Sequence, residues 1–434
     1  MIKAVIMAGG RGTRIASIAP GIPKPMIPVN GKPVLEHQIE CLKKNNISKI
    51  IIVTGHLGNV IKDYFMDGKK FNSDISYYTE DVPLGSAGAL GKIQNELTED
   101  FLLINGDIIF DVDFSRFIEF HRGRGALASL AVHPNSHPFD SALLETDSES
   151  RVTSWLNKEE PRTYYRNQVN AGLHILSKKL LEPVCFTREK TDLDRDILKP
   201  NISSRRIFAY RTPEYIKDMG TPERYYQVEK DVKTGLVQKK NLSNKQRAVF
   251  IDRDGTITTL DGFVTKPEQL LLKNDSAAAI RMVNESGFLA IVITNQPVIA
   301  RGECTIEELD EIHRKMETDL GASGAYVDDI FYCPHHPDKG FAGERPEYKI
   351  ECECRKPKPG MILAAARKYN IDLSESYMIG DSVKDALAGL RAGCRPALLR
   401  ETPQSETETI EGREIPVFSS LYGFTSRILR ACGA

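Results

Sequence analysis

A short apolar run that ends in two carboxylates constrains the fold of this chain more than any other feature. Residues 248–251 (Ala-Val-Phe-Ile) predict a buried strand, and Asp252 and Asp254 follow it with one residue between them. Residues two apart at a strand end tend to point the same way, so both acids are expected to reach one pocket. Gly255 permits a tight turn, and Thr256 adds a hydroxyl and an amide donor. The pattern suits a Mg²⁺ site in which one carboxylate attacks phosphorus and the other handles a proton, although an Asp-rich turn without function has the same short signature.

The length and composition of the chain indicate a globular protein of more than one domain. With 434 residues it can form two or three domains that each bury a core. A net charge of -1 leaves no basic excess to hold a phosphate backbone, which argues against nucleic-acid binding. No apolar run is long enough to span a membrane, and the first residues predict a strand rather than a signal peptide, so we expect a cytoplasmic location without membrane contact. Eight cysteines in a chain of this length do not suggest a disulfide framework.

A glycine-rich turn follows the first predicted strand, residues 4–7. Its glycines let the backbone approach a ligand closely, and successive amides in such a turn can bind an anion. Arginine and lysine side chains nearby can clamp a phosphate. Many loops contain glycines, but Gly-Gly-x-Gly-Thr-Arg followed by Pro-Lys-Pro is more specific. The candidate phosphate-binding residues are Gly9, Gly10, Gly12, Thr13, Arg14 and Lys24.

These and later segments, in the same order, resemble the sugar-1-phosphate nucleotidyltransferases over residues 1–235, and specifically their guanylyltransferase branch. That family has a Rossmann-like mixed sheet, joins a nucleoside triphosphate to a sugar 1-phosphate, and releases pyrophosphate. By this resemblance, residues 83–90 face the base and ribose, residues 169–172 contact the sugar, and Asp107 and Asp218 bind Mg²⁺. The further binding residues that it implies are Gly85, Ser86, Gly88, Asn170 and Gly172.

One segment departs from the family pattern. The usual Glu-Lys-Pro near the sugar phosphate is replaced by Trp-Leu-Asn-Lys-Glu-Glu-Pro at residues 155–161. Lys158 can keep the cationic role, with Asn157 where the acid would stand; the alternative is a solvated run of charges. The reaction needs no nucleophilic side chain, because in-line transfer at the α-phosphorus depends on positioning and on charge neutralisation by Arg14, Lys24 and Mg²⁺.

A second domain is expected over residues 247–434, after a polar linker at residues 236–246. Residues 291–296 predict a buried strand that ends in Thr-Asn, residues 355–360 form a loop of cations and prolines, and residues 377–385 predict another strand that ends in acids. Together with the acid pair, this order resembles the haloacid dehalogenase-like phosphatases. The overall prediction is an α/β protein with two Rossmann-like domains, the second built on a parallel sheet.

The resemblance implies a role for each residue of this second site. Asp252 would form an aspartyl phosphate, and Asp254 would act as general acid and base. Lys356 and Thr294 would stabilise the transferred group, while Asp385 would support the loop rather than bind the metal directly. The implied Mg²⁺ ligands are Asp252, Asp254 and Asp381. The implied substrate contacts are Asn295, Arg301 and Arg355.

A second metal signal lies within the same domain. Cys333 and His335 form a Cys-x-His pair, and Cys352 and Cys354 a Cys-x-Cys pair. Four such ligands suit a closed, structural, tetrahedral Zn²⁺ site. His336 is a competing ligand, and four unmetallated side chains are the alternative.

The zinc loop ends in Cys-x-Cys-Arg-Lys-Pro, which is similar to heptose 1,7-bisphosphate phosphatases and to histidinol phosphatases. Ile-Ala-Arg-Gly at residues 299–302 favours the heptose enzymes, although Pro-Val at residues 297–298 replaces their usual Ser-Gly. Removing the 7-phosphate leaves heptose 1-phosphate, a substrate class for the N-terminal half. The two resemblances together imply a bifunctional enzyme that makes GDP-D-glycero-α-D-manno-heptose from GTP and heptose phosphates, with homo-oligomerisation left open. The alternatives are a nucleotidyltransferase for another sugar fused to a histidinol-phosphatase-like hydrolase, or a regulator that binds sugar nucleotides.

Overall fold

The computed structural model describes residues 2–10, 18, 20–186 and 190–431, and the side chains among them up to residue 429. Its contacts divide the chain into two compact units. The first unit comprises Met1–His133, Leu144–Leu156 and Asn170–Asn241. The second comprises Pro134–Leu143, Asn157–Val169 and Leu242–Ala434.

The first unit is built on a mixed sheet of nine strands in the order β10-β9-β11-β6-β1-β4-β5, with β8 paired to both β11 and β12. Strands β1, β4, β5 and β6 are parallel to one another, and β11 runs antiparallel to β6. Two small ladders, β2-β3 and β7-β13, accompany it. The strands are β1 (Lys3–Met7), β2 (Pro28–Val29), β3 (Lys32–Pro33), β4 (Lys49–Thr54), β5 (Asp74–Thr79), β6 (Asp100–Asn105), β7 (Ile108–Asp111), β8 (Ala128–His133), β9 (Leu143–Thr146), β10 (Val152–Leu156), β11 (Val169–Ser177), β12 (Ile207–Arg211) and β13 (Tyr215–Asp218). The mixed sheet confirms the predicted fold class.

The first helix covers this sheet because it presents apolar residues to it. Leu35, Ile39 and Leu42 of the first helix, at helical spacing, pack in one core with Ile6 and Ile104 of the sheet. The helices are α1 (Val34–Lys44), α2 (Gly58–Phe65), α3 (Gly88–Lys92), α4 (Phe114–Gly123), α5 (Pro222–Lys233) and α6 (Leu236–Lys239), with one π-helix at Leu193–Leu198.

The second unit contains a seven-stranded sheet in the order β16-β15-β14-β17-β18-β20-β19. Its strands are parallel except for the edge strand β19, which is antiparallel to β20. The strands are β14 (Arg247–Ile251), β15 (Phe288–Asn295), β16 (Asp329–Cys333), β17 (Tyr377–Gly380), β18 (Arg395–Leu399), β19 (Thr407–Ile410) and β20 (Arg413–Phe418), and the helices are α7 (Ser276–Ser286), α8 (Ile306–Ala322), α9 (Gly360–Tyr369), α10 (Val383–Ala392) and α11 (Leu421–Ala431).

The central strand β14 is buried on both faces. Val249 and Ile251 pack into one hydrophobic core, while Ala248 and Phe250 point into the core on the opposite side of the sheet. This explains the continuous apolar run in the sequence, which is typical of a strand covered by helices on both sides. Since β14, β15 and β17 are parallel neighbours, the residues that follow them meet at one edge of the sheet.

Two segments from within the first 235 residues pack with the second unit. The Tyr165 N–H donates to Thr318 Oγ1 on α8 (3.0 Å). The Arg166 guanidinium lies 2.5 Å from Asp310 and 3.3 Å from Glu317, whose side chain is fully buried. Because of these polar contacts to α8, residues 157–169 belong to the second unit.

Residues 236–246, predicted as a linker, are not loosely packed. They include α6, and Val237, Asn241 and Leu242 are buried. Their polar composition is explained in part by Asn241, which donates to the buried Asp111 carboxylate (2.6 Å). In the part of the chain that the structure describes, no helix has both the length and the apolar character needed to cross a membrane.

Candidate active sites

A cavity of about 470 Å³ opens at the carboxyl ends of β1 and β6 in the first unit. This is the edge at which ligands bind in open α/β sheets. The lining residues come from the glycine-rich turn, the loop after β5, and the end of β6. They are Met7, Ala8, Gly9, Gly10, Lys24, Pro25, Glu80, Pro83, Gly85, Ser86, Asn105, Gly106, Asp107 and Gly220.

Two charged groups of this cavity are paired with each other. Lys24 is buried, and its Nζ donates to Asp107 Oδ2 (2.5 Å). Asp218 comes close because β13 pairs with β7, and the N–H of Met219 donates to the carbonyl of Asp107 (3.3 Å). The two predicted metal carboxylates therefore lie at neighbouring positions.

Arg224, in the first turns of α5, was not predicted. Its Nη1 donates to both oxygens of Asp218 (3.0 Å each). Burial raises the pKa of Asp218, but Arg224 and the Gly220 N–H outweigh it, so the pKa lies below its ordinary value. Asp218 is thus kept ionised, as a metal ligand requires. The only sequence signal for Arg224 was its position shortly after the Asp-Met-Gly-Thr-Pro segment.

The loop that carries Gly85 and Ser86 is held by a segment that the sequence did not single out. Ser86 Oγ donates to Asp192 (2.9 Å) and accepts from the N–H of Leu193 (2.8 Å). Gly85 has φ +88°, and a Cβ there would lie 2.5 Å from the Thr191 carbonyl oxygen. Only glycine therefore fits at this point of the loop.

The other predicted residues of the first site occupy varied positions. Gly88 begins α3, while Asn170 and Gly172 lie on β11, and none of the three lines the cavity. Lys158 is exposed, 3.8 Å from Glu159, in the segment that packs with the second unit. Gly12, Thr13 and Arg14 lie outside the described residues.

In the second unit, the structure brings Asp252, Asp381, Asp385 and Lys356 together. The Lys356 Nζ contacts Asp252 Oδ1 (2.7 Å) and Asp385 Oδ1 (2.6 Å), and donates to the Ile293 carbonyl (2.8 Å). The three carboxylates each offer an oxygen within 4.8 Å of the others, close enough to share one metal ion. Asp385 was expected to support the loop rather than to bind metal; its Oδ2 accepts from the Ser382 N–H (3.0 Å), and its carboxylate also lies in the group that could hold the ion.

Lys356 alone does not neutralise the negative charge of this cluster. Burial and the adjacent Asp385 raise the pKa of Asp252 to about 8, against the opposing effect of Lys356. Burial and Asp385 also raise the pKa of Asp381. Three carboxylates around one ammonium group therefore fit a divalent cation, and hard oxygen ligands are those that Mg²⁺ prefers.

Asp254 is not among the described acids that group around this possible metal position. Both its oxygens accept from the Arg253 guanidinium, and Oδ2 also accepts from Gln296 Nε2 (2.8 Å). Gln296 in turn donates to Thr294 Oγ1 (2.9 Å). Neither Arg253 nor Gln296 was singled out from the sequence, although each is the immediate neighbour of a residue that was.

The three predicted substrate contacts make different interactions. The Asn295 side chain donates to the Lys356 carbonyl and accepts from its N–H (3.1 and 3.0 Å), which positions the lysine. Arg355 Nη1 donates to the His335 carbonyl (3.1 Å). The Arg301 guanidinium lies 4.4 Å from the ring centroids of both Phe263 and Phe341.

The predicted zinc ligands form a second group that could hold a metal ion. Cys333, His335, Cys352 and Cys354 place their Sγ and Nδ1 atoms 3.1–3.7 Å apart along the contacts that they make. No disulfide joins them, since all seven described cysteines are free. Hydrogen bonding with Cys333, reinforced by Cys352 and His335, lowers the pKa of Cys354 to about 5. Four soft donors at these separations, one of them a thiolate, fit a tetrahedral Zn²⁺ ion.

Two family models match the chain. The nucleotidyl transferase model matches residues 3–235, and the HAD-hydrolase-like model matches residues 353–421. The first match spans more than half of the 434 residues, and it contains the cavity with Lys24 and Asp107.

Individual relatives match each half separately. Mannose-1-phosphate guanylyltransferase of Mycobacterium tuberculosis is 30% identical over 239 residues, which are 54% of this chain and 66% of that protein. D-glycero-beta-D-manno-heptose-1,7-bisphosphate 7-phosphatase of Pasteurella multocida is 38% identical over 164 residues, which are 38% of this chain and 86% of the relative. The crystal structure of HddC from Yersinia pseudotuberculosis is 29% identical with a TM-score of 0.47, and covers 54% of this chain and 100% of that one. With two separate sites and a match for each, the chain belongs to the nucleotidyl transferase family through its N-terminal half and to the HAD-like heptose-bisphosphate 7-phosphatases through its C-terminal half.

Proposed function

We propose that this chain removes the 7-phosphate of D-glycero-D-manno-heptose 1,7-bisphosphate and then transfers GMP from GTP to the resulting heptose 1-phosphate. The observation that carries the proposal is the presence of two acid and lysine sites in one chain, Asp252 with Lys356 and Asp107 with Lys24. The product of the first reaction belongs to the substrate class of the second. The guanylyltransferase and 7-phosphatase names of the relatives support this choice of nucleotide and sugar.

The phosphatase reaction has two steps. In the first, a carboxylate oxygen of Asp252 attacks the 7-phosphorus, the bond from phosphorus to the sugar oxygen breaks, and Asp254 gives its proton to that oxygen. In the second, Asp254 takes a proton from the water that attacks the aspartyl phosphate, and phosphate leaves as the Asp252 carboxylate is restored. Lys356, 2.7 Å from Asp252, and the buried Thr294 would stabilise the transferred group.

Mg²⁺ in this site would be held by Asp252 and Asp381, with Asp385 as a third carboxylate within reach. When bound, it supplies the positive charge that favours the ionised nucleophile and offsets the charge on the phosphoryl oxygens. The raised pKa of Asp252 supports this, because the protonated acid would be a poor nucleophile at neutral pH.

The transferase reaction needs positioning rather than covalent catalysis. An oxygen of the sugar 1-phosphate attacks the α-phosphorus of GTP in line, and pyrophosphate leaves with the electron pair of the broken bond. Lys24 lies in the cavity to offset charge, and Asp107 and Asp218 would hold Mg²⁺. The volume of about 470 Å³ is in the range of nucleotide-sized ligand pockets.

The proposal also covers the zinc ion, the cellular location of the enzyme and its partners. We assign Zn²⁺ a structural role at Cys333, His335, Cys352 and Cys354, since four protein ligands leave no open position. We place the enzyme in the cytoplasm, where GTP is available and where the free thiols of the described cysteines remain reduced. Its partners are then small molecules, namely GTP and heptose phosphates.

One coupled assay tests the function. Purified protein is given each anomer of heptose 1,7-bisphosphate together with each NTP, and phosphate and pyrophosphate are followed separately. We expect phosphate first and pyrophosphate only with GTP. Preferred release of phosphate from histidinol phosphate would contradict the heptose assignment.

Two sets of variants separate the half-reactions. Asp252→Asn should abolish phosphate release while nucleotidyl transfer from heptose 1-phosphate continues, because an amide is a poor nucleophile. Arg14→Ala and Lys24→Ala should each lower pyrophosphate formation by about 10²–10³-fold and leave the phosphatase unchanged. Equal loss of both activities in a folded variant would contradict two independent sites.

A further inference from the structure

Asp252 and Asp254 are chemically identical and almost adjacent, yet their carboxylates lie in different surroundings. Asp252 faces the Lys356 ammonium group and the other acids. Asp254 forms a bidentate pair with the residue between them: Arg253 Nε donates to Oδ1 and Nη2 to Oδ2, each at 2.9 Å. We propose that Arg253 is a positioning residue, which holds the Asp254 carboxylate away from the metal-binding acids and oriented for proton transfer. The inference rests on the phosphatase function proposed above.

Arg253 is itself held firmly. Its side chain has no exposed surface, and it is among the largest fully buried side chains of the described chain. Its carbonyl accepts the N–H groups of Thr256, Ile257 and Thr258 (3.3, 2.9 and 2.9 Å), which fixes the backbone on which the side chain stands. A planar guanidinium in a fixed place determines the plane of the carboxylate that it pairs with, whereas a lysine could act only as a point charge.

This pairing separates the roles of the two acids. A carboxylate near a divalent cation is attracted to it, and an oxygen bound to a metal is a weak base. Among the described residues of this site, the acids that group closely enough to share a metal are Asp252, Asp381 and Asp385, without Asp254. The charge and two hydrogen bonds of Arg253 compete with the cation for Asp254, so the carboxylate stays out of the metal site. Arg253 also stabilises the carboxylate that forms when Asp254 gives its proton to the leaving oxygen.

Gln296 extends the arrangement to the phosphoryl-binding hydroxyl. It is buried, and its Nε2 donates to Asp254 (2.8 Å) and to Thr294 Oγ1 (2.9 Å). Since an ionised carboxylate can only accept, the nitrogen of the amide must face Asp254. Thr294 Oγ1 then accepts from the same nitrogen, which leaves its own hydrogen to donate to the transferred phosphoryl group. One amide thereby positions the groups that handle the proton and the phosphate.

The test compares the rates of the Arg253→Lys variant with two substrates that differ in leaving group. This variant keeps the positive charge but loses the bidentate pair. With heptose bisphosphate, whose alkoxide leaving group needs a proton, we expect kcat to fall by about 10²-fold or more. With p-nitrophenyl phosphate, whose phenolate leaves without a proton, one equivalent of nitrophenol should appear at a rate comparable to wild type. Turnover should then be slow, because the second step still needs Asp254 as a base. The matched control is Arg281→Lys, an exposed arginine on α7, which should change neither rate.

A second measurement shows whether Arg253 acts through Asp254. In the background of Asp254→Ala, Arg253→Lys should cause no further loss of kcat, because the residue that it positions is absent. A further loss there, or an equal slowing of the nitrophenol burst and of turnover, would overturn the positioning role. If Arg253→Lys does not fold, Gln296→Leu decides: because the loss of its contact with Thr294 affects both substrates alike, kcat should fall further with heptose bisphosphate than with p-nitrophenyl phosphate, and equal falls would overturn the positioning of Asp254.

A separate experiment distinguishes failure of the proposed aspartyl-phosphate mechanism from failure of the Arg253 proposal. Wild-type enzyme quenched during turnover of ³²P-labelled substrate should carry a hydroxylamine-sensitive acyl phosphate, and Asp252→Asn should not. Absence of this species in the wild type would refute the proposed aspartyl-phosphate mechanism before any Arg253 variant is compared.

Discussion

Replacing Gly255 by alanine tests how closely the backbone at the phosphatase site must fit Asp381. Gly255 has φ +77°, and a Cβ built there lies 2.1 Å from Asp381 Oδ2. The positive φ costs an alanine about 1–2 kcal/mol. To reach an ordinary contact, the carboxylate would have to retreat by about 1.3 Å, and a misplacement of about 1 Å in an active site can lower the rate by about 10²-fold.

We therefore expect Gly255→Ala to lower the midpoint of thermal unfolding by about 2–8 °C and phosphatase kcat by about 10²-fold. Transfer of GMP to heptose 1-phosphate should be unchanged, because the transferase residues lie in the first unit. Phosphate release, pyrophosphate release and thermal unfolding are measured on the same preparation.

Gly393→Ala is the matched control. Gly393 ends α10 with φ +90°, but nothing lies within 4 Å of its Cβ position. It should show the same backbone strain and a similar loss of stability, with phosphatase kcat retained. Phosphatase activity of Gly255→Ala within twofold of wild type, or an equal loss in Gly393→Ala, would refute the reasoning.

Three other predictions concern the zinc ligands, the Arg166 ion pair and a buried histidine. Cys354→Ser should lose bound zinc and lower phosphatase activity while transferase activity continues; metal analysis of wild type showing much less than one zinc per chain, with full activity, would contradict this. Arg166→Ala should destabilise the second unit by about 3 kcal/mol, because its guanidinium lies 3.3 Å from buried Glu317. Arg314→Ala, which leaves that pair intact, should cost much less in the same urea titration, and equal losses would argue against the pair. Complete burial lowers the pKa of His174 to about 4, so its contribution to stability is present above pH 6.5 and is lost as the pH falls toward 4. His174→Gln should flatten this pH dependence of the urea midpoint, and an unchanged slope would exclude His174 as its source.

Much of the fold could be predicted from local patterns. The apolar runs at residues 4–7, 248–251 and 377–379 correspond to β1, β14 and β17, because a strand covered on both faces is apolar at every position. Their polar ends mark the sheet edge where the sites lie. The order of Gly-rich turn, acids, threonine and lysine along the chain therefore indicated both chemistries before any contact was known.

Some site residues gave no comparable local signal. Arg253 lies between the two acids of the motif, and Gln296 follows the Thr-Asn pair that ends β15. Arg224 resembles any arginine on an amphipathic helix. Each has its role because of a carboxylate that it contacts, and a side chain's partner depends on how the backbone brings the two together. Residues 157–169 show the same limit, since their position within the first 235 residues gave no indication that Arg166 pairs with Asp310 and Glu317 of α8.

The sequence by itself determined the two α/β domains, the chemical groups at their strand ends, and the four-ligand Cys and His set, because each of these follows from residue type and short-range spacing. The tertiary structure decided how two neighbouring acids differ. Asp252 is paired with Lys356 from more than a hundred residues away, and Asp254 with Arg253 and Gln296. Spacing along a strand brings both carboxylates to one pocket, but burial and the charges that surround each oxygen set its affinity for a proton or a metal, and those surroundings exist only once β14, β15 and β17 lie side by side.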